Sequence, residues 1–304
     1  MAEIGLVRFA QVAMEVAAAA LPLYRTKKSN HRFTQPQLIS ILCLMRYEDW
    51  TFREAEVRLA EHTELREALG LQRVPDHTTL FYFLRRLKEG TIAQLLAETI
   101  QRLPPPPSGG TTVAVDATGL APGAISTFFV KRLRDQGGEW HRWIKWLVAV
   151  DVPRRSVVAQ LAKWGPTNDS ATLRPLVTAA VPVVPIRQVL ADAEFDSERN
   201  HRHIREVLGA TSIIPAKRGK ATWRRRGVRA QMQADFPRAE YAQRALVESV
   251  FSAVKRKLSA RAPGRSLETQ CLQALLLGLA YNIYRLKPGV GHRPFIPLML
   301  TVPS

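Results

Sequence analysis

The sequence predicts an α/β domain with a mixed sheet, preceded by an all-helical region. Helical patterns occupy the chain up to about residue 103. A segment rich in proline and glycine, residues 104–110, then marks a domain boundary. Beyond it, strand-like runs are followed by alternating helices and strands and finally by helices, as expected for a mixed sheet covered by helices. We therefore expect a helical domain (1–103), a linker (104–110), an α/β domain (111–287) and an irregular tail (288–304).

The helical region contains two clear helix starts. Thr51 and Glu54 form a capping box that opens a helix to about residue 62, and Asp76 is suited to cap the next helix. The polar side of that second helix carries five residues: His77, Thr78, Tyr82, Arg85 and Arg86. We expect a helix-turn-helix unit in which His77 and Thr78 meet base edges while Arg85 and Arg86 meet phosphates. An amphipathic helix in a dimerisation bundle is an equally good interpretation.

After the linker, the strands and helices follow from local composition. Strand-like runs are predicted at residues 111–115, 127–133, 143–152, 157–161, 189–191 and 211–214. Helices are predicted at residues 170–180, 197–208, 238–257 and 267–284.

The charge balance indicates a polyanionic partner. The chain carries 44 Lys+Arg against 26 Asp+Glu, a formal net charge of +18. Each cation placed on a phosphate releases a condensed counterion, so nucleic acid is the favoured partner. A ribosome-like or membrane-surface basic protein is the alternative.

The two cysteines and the apolar runs indicate a cytoplasmic protein. Cys43 and Cys271 lie in apolar helical patterns and are expected to be buried thiols in a reducing compartment. The leucine-rich stretch around Leu275 is interrupted by polar residues, so neither it nor the short apolar run after Ala17 is expected to span a bilayer.

Two aspartates end strand-like runs. Asp116 follows Val-Ala-Val, and Asp192 follows Val-Leu-Ala. Sites gather at the carboxyl ends of neighbouring strands, and an acid after a buried run needs a compensating cation or strong donors. Of the acids that follow, Glu194 is expected to lie in a turn, and Asp196 to cap a helix.

A third acid lies on a cationic helix stripe. In one continuous helix, Tyr241, Arg244, Glu248 and Lys255 would fall at roughly 0°, −60°, −20° and −40° around the axis. The opposite side carries apolar residues suited to a core. Together with Asp116 and Asp192, Glu248 completes a set of three hard oxygen donors.

This donor set suits Mg²⁺ or Mn²⁺ and not zinc. Two such ions can activate an attacking oxygen and stabilise a leaving one at phosphorus. No nucleotide-binding loop, zinc spacing or Ser/His/Asp arrangement competes with it, and His201 and His203 are expected to be solvated.

Cations are dense between Asp192 and Glu248. A mobile loop with one aromatic suits contact with the backbone and bases of DNA. The expected contacts are Lys217, Arg218, Trp223, Arg224 and Arg225. A solvated charged loop is the alternative.

Three sequence blocks resemble those of insertion-sequence transposases of the DDE superfamily. Tyr241, Arg244, Glu248 and Lys255 have the spacing of the YREK signature, and VAVDATGL and VLADAEFDS resemble the two aspartate blocks. In the second block, Ala193 and Glu194 replace the usual Lys-Gly, which adds a negative charge and removes a cation beside Asp192.

The resemblance implies an RNase H-like domain in which Asp116, Asp192 and Glu248 bind two divalent metal ions. Tyr241, Arg244 and Lys255 would hold phosphates at the transposon end. It further implies a transposase that cleaves terminal inverted repeats on double-stranded DNA and joins the 3′-OH ends to target DNA, as a homodimer. The alternatives are a non-catalytic DNA-binding protein, such as a domesticated transposase or repressor, and an RNase H-like nuclease without strand transfer.

Overall fold

The computed structural model describes residues 4–26, 31–123, 127–137, 143–217 and 227–286. Four of the expected DNA contacts, Arg218, Trp223, Arg224 and Arg225, lie outside these residues, as does the expected tail at 288–304. Within the described ranges, no helix combines the length and the apolar character needed to cross a bilayer.

Six helices precede the sheet in the described part of the chain. They are α1 (Leu6–Ala20), α2 (Gln35–Glu48), α3 (Phe52–Glu61), α4 (Thr63–Ala68), α5 (His77–Arg86) and α6 (Glu89–Gln101). The start of α3 is fixed by the reciprocal capping box of Thr51 and Glu54, and α5 starts at Asp76, whose side chain accepts the amides of Thr78 and Thr79. Both predicted helix starts are confirmed because the cap side chains satisfy amides that no helical carbonyl reaches.

Five strands form one mixed sheet. They are β1 (Thr111–Leu120), β2 (Ile144–Asp151), β3 (Ser156–Trp164), β4 (Ile186–Ala191) and β5 (Thr211–Ile213). The order across the sheet is β3-β2-β1-β4-β5. Strands β1, β2 and β3 are antiparallel neighbours, whereas β1, β4 and β5 run parallel. The central strand β1 therefore joins an antiparallel half to a parallel half.

Further helices follow β1 along the chain. They are α7 (Thr127–Asp135), α8 (Ser170–Ala180), α9 (Glu198–Arg202), α10 (Gly227–Ala234), α11 (Arg238–Tyr241), α12 (Ala245–Lys257) and α13 (Leu267–Arg285). A π-helical turn, His203–Val207, extends α9. The helix predicted as continuous over 238–257 is interrupted by a 3-10 turn at Ala242–Arg244.

The strand predicted at 127–133 is wrong, because residues 127–135 form helix α7. The aromatic and β-branched start of this run suggested a strand. Its apolar residues at 129, 130 and 133 are spaced as on one side of a helix rather than alternating. Strand β1 pairs directly with β2 instead.

The two faces of the sheet contribute to two hydrophobic cores. Ala114 and Leu190 face the core shared with α12, α13 and the N-terminal helices, whereas Val113 and Val189 face the core under α8. Helix α13 is tied to the sheet by the buried Asn282, whose side chain exchanges hydrogen bonds of 2.9 and 2.8 Å with the amide and carbonyl of Val157. The predicted α/β class, with a mixed sheet and a preceding helical region, is confirmed.

Candidate active site

Strand register puts Asp116 and Asp192 beside each other. The prediction that the first strand ends at Asp116 is wrong, because β1 stays paired with β2 as far as Leu120, and only Asp192 follows the end of its strand. Val115 pairs with Ala191 across the parallel strands, so Asp116 and Asp192 are the next residues of neighbouring strands. Because side chains alternate along a strand, Asp116 lies on the same face as Ala114. That face is the one covered by α12, the helix that carries Glu248.

Helix α12 packs against this face of the sheet through its own apolar side. Val247, Val250 and Val254 are buried, and Phe251 packs on Trp146 of β2 with ring centroids 5.7 Å apart. The predicted apolar side of the helix is therefore confirmed. Glu248, on the other side, stays 58% exposed.

The guanidinium of Arg244 joins two of the three acids. Its Nη1 donates to Asp116 Oδ2 at 2.9 Å, and its Nη2 donates to Glu248 Oε1 at 2.7 Å. Arg244 is the last residue of the 3-10 turn that precedes α12. This turn contacts both β1 and β4. The break in the predicted helix thus lets one cation reach acids from a strand and from a helix.

The other two residues of the stripe contact β1 and Arg244, respectively. Lys255 Nζ donates to Thr118 Oγ1 of β1 at 2.7 Å. Tyr241 packs edge-on against Phe236 at 4.9 Å, and the Arg244 guanidinium lies 5.8 Å from the Tyr241 ring centroid. All four stripe residues therefore line one surface beside Asp116.

Electrostatics couple these groups. Burial raises the pKa of Asp116 above its ordinary value, the amide of Ala117 and the Arg244 cation oppose that rise, and the charge of Asp192 adds to it. Burial also raises the pKa of Tyr241. Burial disfavours the charge of Arg244, but Tyr241 and the neighbouring carboxylates outweigh it and raise its pKa. Arg244 thus stays protonated and partly neutralises the paired aspartates.

The donor chemistry fits a divalent cation, but the acids are not arranged as a closed metal cluster. No group of three His, Cys, Asp or Glu side chains within the described ranges is close enough to hold a metal ion. The Arg244 guanidinium lies between Asp116 and Glu248, while Asp192 Oδ1 accepts the amide of Glu194 at 2.9 Å. Carboxylate oxygens are nevertheless the donors that Mg²⁺ and Mn²⁺ prefer.

A buried ion pair beside Asp192 could not be predicted from spacing. The Asp196 side chain is buried and receives Arg229 at distances from 2.8 to 3.1 Å and the amide of Lys217 at 2.8 Å. Ser197, not Asp196, caps α9, so the predicted capping role of Asp196 is wrong. His201 is also buried rather than solvated, with Nδ1 2.7 Å from Ser212 Oγ.

Lys217 lies close to the second aspartate block. Its Nζ donates to Glu194 at 2.8 Å, and both side chains are more than half exposed. Glu194 follows Asp192 in a short 3-10 turn, as the turn prediction required. The segment that follows β5 therefore places a cation beside Glu194, two residues from Asp192.

Helix α5 carries the remaining predicted DNA contacts. His77 Nδ1 lies 2.7 Å from Glu56 of α3, and the Thr78 amide is held by Asp76. Arg85 lies over the Phe81 ring with its guanidinium 5.8 Å from the centroid, and both it and Arg86 are exposed. The arginines face solvent, whereas His77 contributes to the packing of α3 on α5.

The fold and the site are thus those of an α/β domain whose mixed sheet carries two adjacent aspartates beside a cationic helix. The model of one family, the transposase DDE domain, matches residues 107–283. This is more than half of the chain's 304 residues. The chain therefore belongs to the transposase DDE domain family.

One solved structure is similar to this chain at low sequence identity. The cryo-EM structure of the piggyBac transposase synaptic complex with hairpin DNA is similar over 92% of this chain and 71% of that chain, with a TM-score of 0.48 and 10% identity. Comparison with curated proteins gave no significant match.

Proposed function

We propose that this protein is a DNA transposase of the insertion-sequence type with the YREK arrangement. It binds the terminal inverted repeats of its element, cuts the DNA at the transposon ends and joins the 3′-OH ends to target DNA. The observation that carries the proposal is that Asp116 and Asp192 follow a paired position of neighbouring strands, under the helix that bears Glu248, in a chain of the DDE family.

Asp116, Asp192 and Glu248 are the proposed ligands of Mg²⁺ or Mn²⁺. Two divalent cations would activate the attacking oxygen and stabilise the leaving oxygen at phosphorus. Arg244 now neutralises Asp116 and Glu248. In the working complex we assign it, with Lys255 and Tyr241, to the phosphates of the transposon end. Catalysis of this kind is mostly positioning and charge neutralisation, which these residues supply.

DNA contacts away from the acids are proposed from charge. Lys217, Arg218, Trp223, Arg224 and Arg225 are assigned to the strand near the cut, and α5, in a helix-turn-helix role, to duplex DNA. Because two element ends must be brought together, the active form is proposed to be a homodimer. It would act in the cytoplasm on nucleoid DNA.

The test is cleavage and joining of DNA taken from either side of the gene, where short inverted repeats would mark the substrate. With Mg²⁺, the wild type should cut at the repeat and join a pre-cut end to a plasmid. Asp116→Asn, Asp192→Asn and Glu248→Gln should each abolish cutting while keeping DNA binding. Glu194→Gln, which removes an exposed acid two residues from Asp192, should keep cutting.

One observation favours a non-catalytic DNA-binding protein instead, namely that Arg244 lies between two of the acids. The same experiment separates the two functions. DNA binding without any metal-dependent cutting by the wild type would support the non-catalytic protein. Cutting without joined products would indicate a nuclease, and full cutting by any of the three acid variants would contradict the assignment of that acid.

A further inference from the structure

A cavity of about 900 Å³ lies between the helical region and the loop that precedes α13. Its walls come from four separate parts of the chain: the end of α2 and start of α3, the middle of α5, residues 122–123 after β1, and residues 261–273. A second cavity of about 600 Å³ adjoins it and shares Thr51, Phe52, Phe81 and Arg265. Together they form a groove that none of the proposed catalytic residues lines.

The walls of the first cavity are aromatic. Trp50, Phe52 and Phe81 line it. Phe52 and Phe81 meet edge to face with ring centroids 5.8 Å apart, and Phe81 is 38% exposed. Exposed aromatic rings in a concave site provide stacking surfaces for nucleobases, since every base has a flat π-face.

The cavity is also strongly cationic. Four arginines and one acid, Asp49, are among the residues that line it. The arginines are Arg46, Arg85, Arg261 and Arg265. Asp49 is already paired with Arg46 at 3.4 Å and with Arg261. A net positive rim around aromatic walls suits a ligand with a flat base and attached phosphates.

Two buried polar atoms belong to residues that line the cavity and have no hydrogen-bond partner within the described structure. They are the donor Nε of Arg46 and the acceptor Oε1 of Gln273, on side chains that are 1% and 3% exposed. A buried polar atom without a partner is costly, so such atoms mark a place where a partner is expected. Both atoms have almost no accessible surface, so a nucleobase edge, which presents the matching acceptor and donor, reaches them only when these side chains turn toward the cavity.

We propose that this cavity holds one unpaired nucleotide of a DNA strand. The base stacks on an aromatic wall of the cavity with its edge toward Arg46 and Gln273, and the flanking phosphates lie on Arg85 and Arg265. A paired base cannot enter, because its edge and both faces are occupied inside a duplex. The inference rests on the proposed function only in taking DNA as the substrate.

The experiment compares two DNA probes of equal duplex length at one salt concentration, one blunt and one with a short single-stranded extension. The wild-type full chain should bind the extended probe about tenfold more tightly, the size expected for stacking of one base. An extension made of abasic nucleotides keeps the phosphates and should lose that advantage. A 2-aminopurine base in the extension should lose fluorescence on binding as it stacks.

Two variants test the walls and the base edge. Phe81→Ala and Gln273→Met should each bring the ratio of the two affinities close to one. Gln273→Met, which lies outside the proposed duplex-binding helix α5, should also leave blunt-duplex binding intact. Gln273→Met keeps the side-chain volume and removes the unpartnered acceptor, so its thermal stability should be equal or higher. Val57→Ala is the control, because Val57 lies on α3, is 54% exposed and lines neither cavity. It should keep the ratio.

The outcomes separate this inference from the proposed function. If neither probe binds, the proposed DNA substrate itself fails. If the blunt probe binds but the ratio is one in the wild type, or the abasic extension binds equally well, or Gln273→Met keeps the full ratio, only the nucleotide cavity is overturned.

Discussion

Removing the cation between Asp116 and Glu248 is expected to tighten metal binding while it impairs DNA cutting. The Arg244 guanidinium donates to Asp116 at 2.9 Å and to Glu248 at 2.7 Å. These are carboxylate oxygens that a divalent cation would need. Arg244→Met keeps the aliphatic length of the side chain and removes this competitor, but it also removes a proposed phosphate contact.

The size of the effect follows from exposure. The bond to Asp116 is partly buried, with Arg244 and Asp116 side chains 19% and 15% exposed, whereas Glu248 is 58% exposed. A hydrogen bond to a charged group is worth about 1.5–3 kcal/mol, and an exposed ion pair about 0.2–1 kcal/mol. A total near 2 kcal/mol corresponds to roughly 30-fold tighter metal binding.

The assay is isothermal titration with Mg²⁺ or Mn²⁺ at about pH 8, where an aspartate with a raised pKa is still ionised. Lys255→Met is the matched control, because Lys255 lies on the same stripe but contacts Thr118 rather than a carboxylate. Unchanged or weaker metal binding by Arg244→Met would refute the reasoning. Equal tightening by Lys255→Met would show a general charge effect instead of competition.

Three further predictions concern the supports of the site. Arg229→Met leaves the buried Asp196 carboxylate without its cation and should lower the free energy of unfolding in urea by about 2–3 kcal/mol, less than for a fully buried pair because Arg229 is 30% exposed. The control Arg202→Met breaks an ion pair whose partners are 63% and 67% exposed and should cost under about 0.5 kcal/mol, so equal losses would contradict the argument. Asn282→Leu removes the side chain that bonds the amide and carbonyl of Val157 and should lower the free energy of unfolding by about 2–4 kcal/mol. An unchanged free energy of unfolding in urea would show that α13 does not depend on this contact. Burial raises the pKa of Asp196, but its hydrogen-bond partners outweigh burial and hold that pKa well below its ordinary value. Its stabilisation is thus present above about pH 4 and is lost as pH falls further, and unfolding measured from about pH 5 to about pH 3 should depend less on pH in Asp196→Asn than in the wild type.

Much of the fold was predictable because its signals are local. Strand runs, helix caps and the apolar face of α12 each arise from neighbouring residues, and the structure contains them. The strand prediction for residues 127–133 failed because the composition of this run favoured a strand, whereas the spacing of its apolar residues favoured the helix that forms. The break at Ala242–Arg244 was not visible, since a 3-10 turn leaves little trace in side-chain periodicity.

The grouping of the candidate site was partly predictable. Two aspartates after strand-like runs and one helix stripe are patterns that a sequence displays, and packing lets Arg244 contact both Asp116 and Glu248. That β1 continues past Asp116 was not visible. The partner of Asp196 is Arg229, 33 residues away, and no spacing rule links them. The aromatic and arginine-rich cavity likewise joins segments far apart in the chain. The catalytic and metal-binding roles stay predictions.

The most direct test of the central claim is a change of metal preference. Asp116→Cys and Asp192→Cys replace a hard oxygen donor by a sulfur donor, which Mg²⁺ accepts poorly and Mn²⁺ accepts better. If these residues bind the metal, DNA cutting by both variants should be lost with Mg²⁺ and restored in part with Mn²⁺, while Glu194→Cys behaves as the wild type in both. Cutting by Asp116→Cys and Asp192→Cys that is as strong with Mg²⁺ as in the wild type would contradict the account.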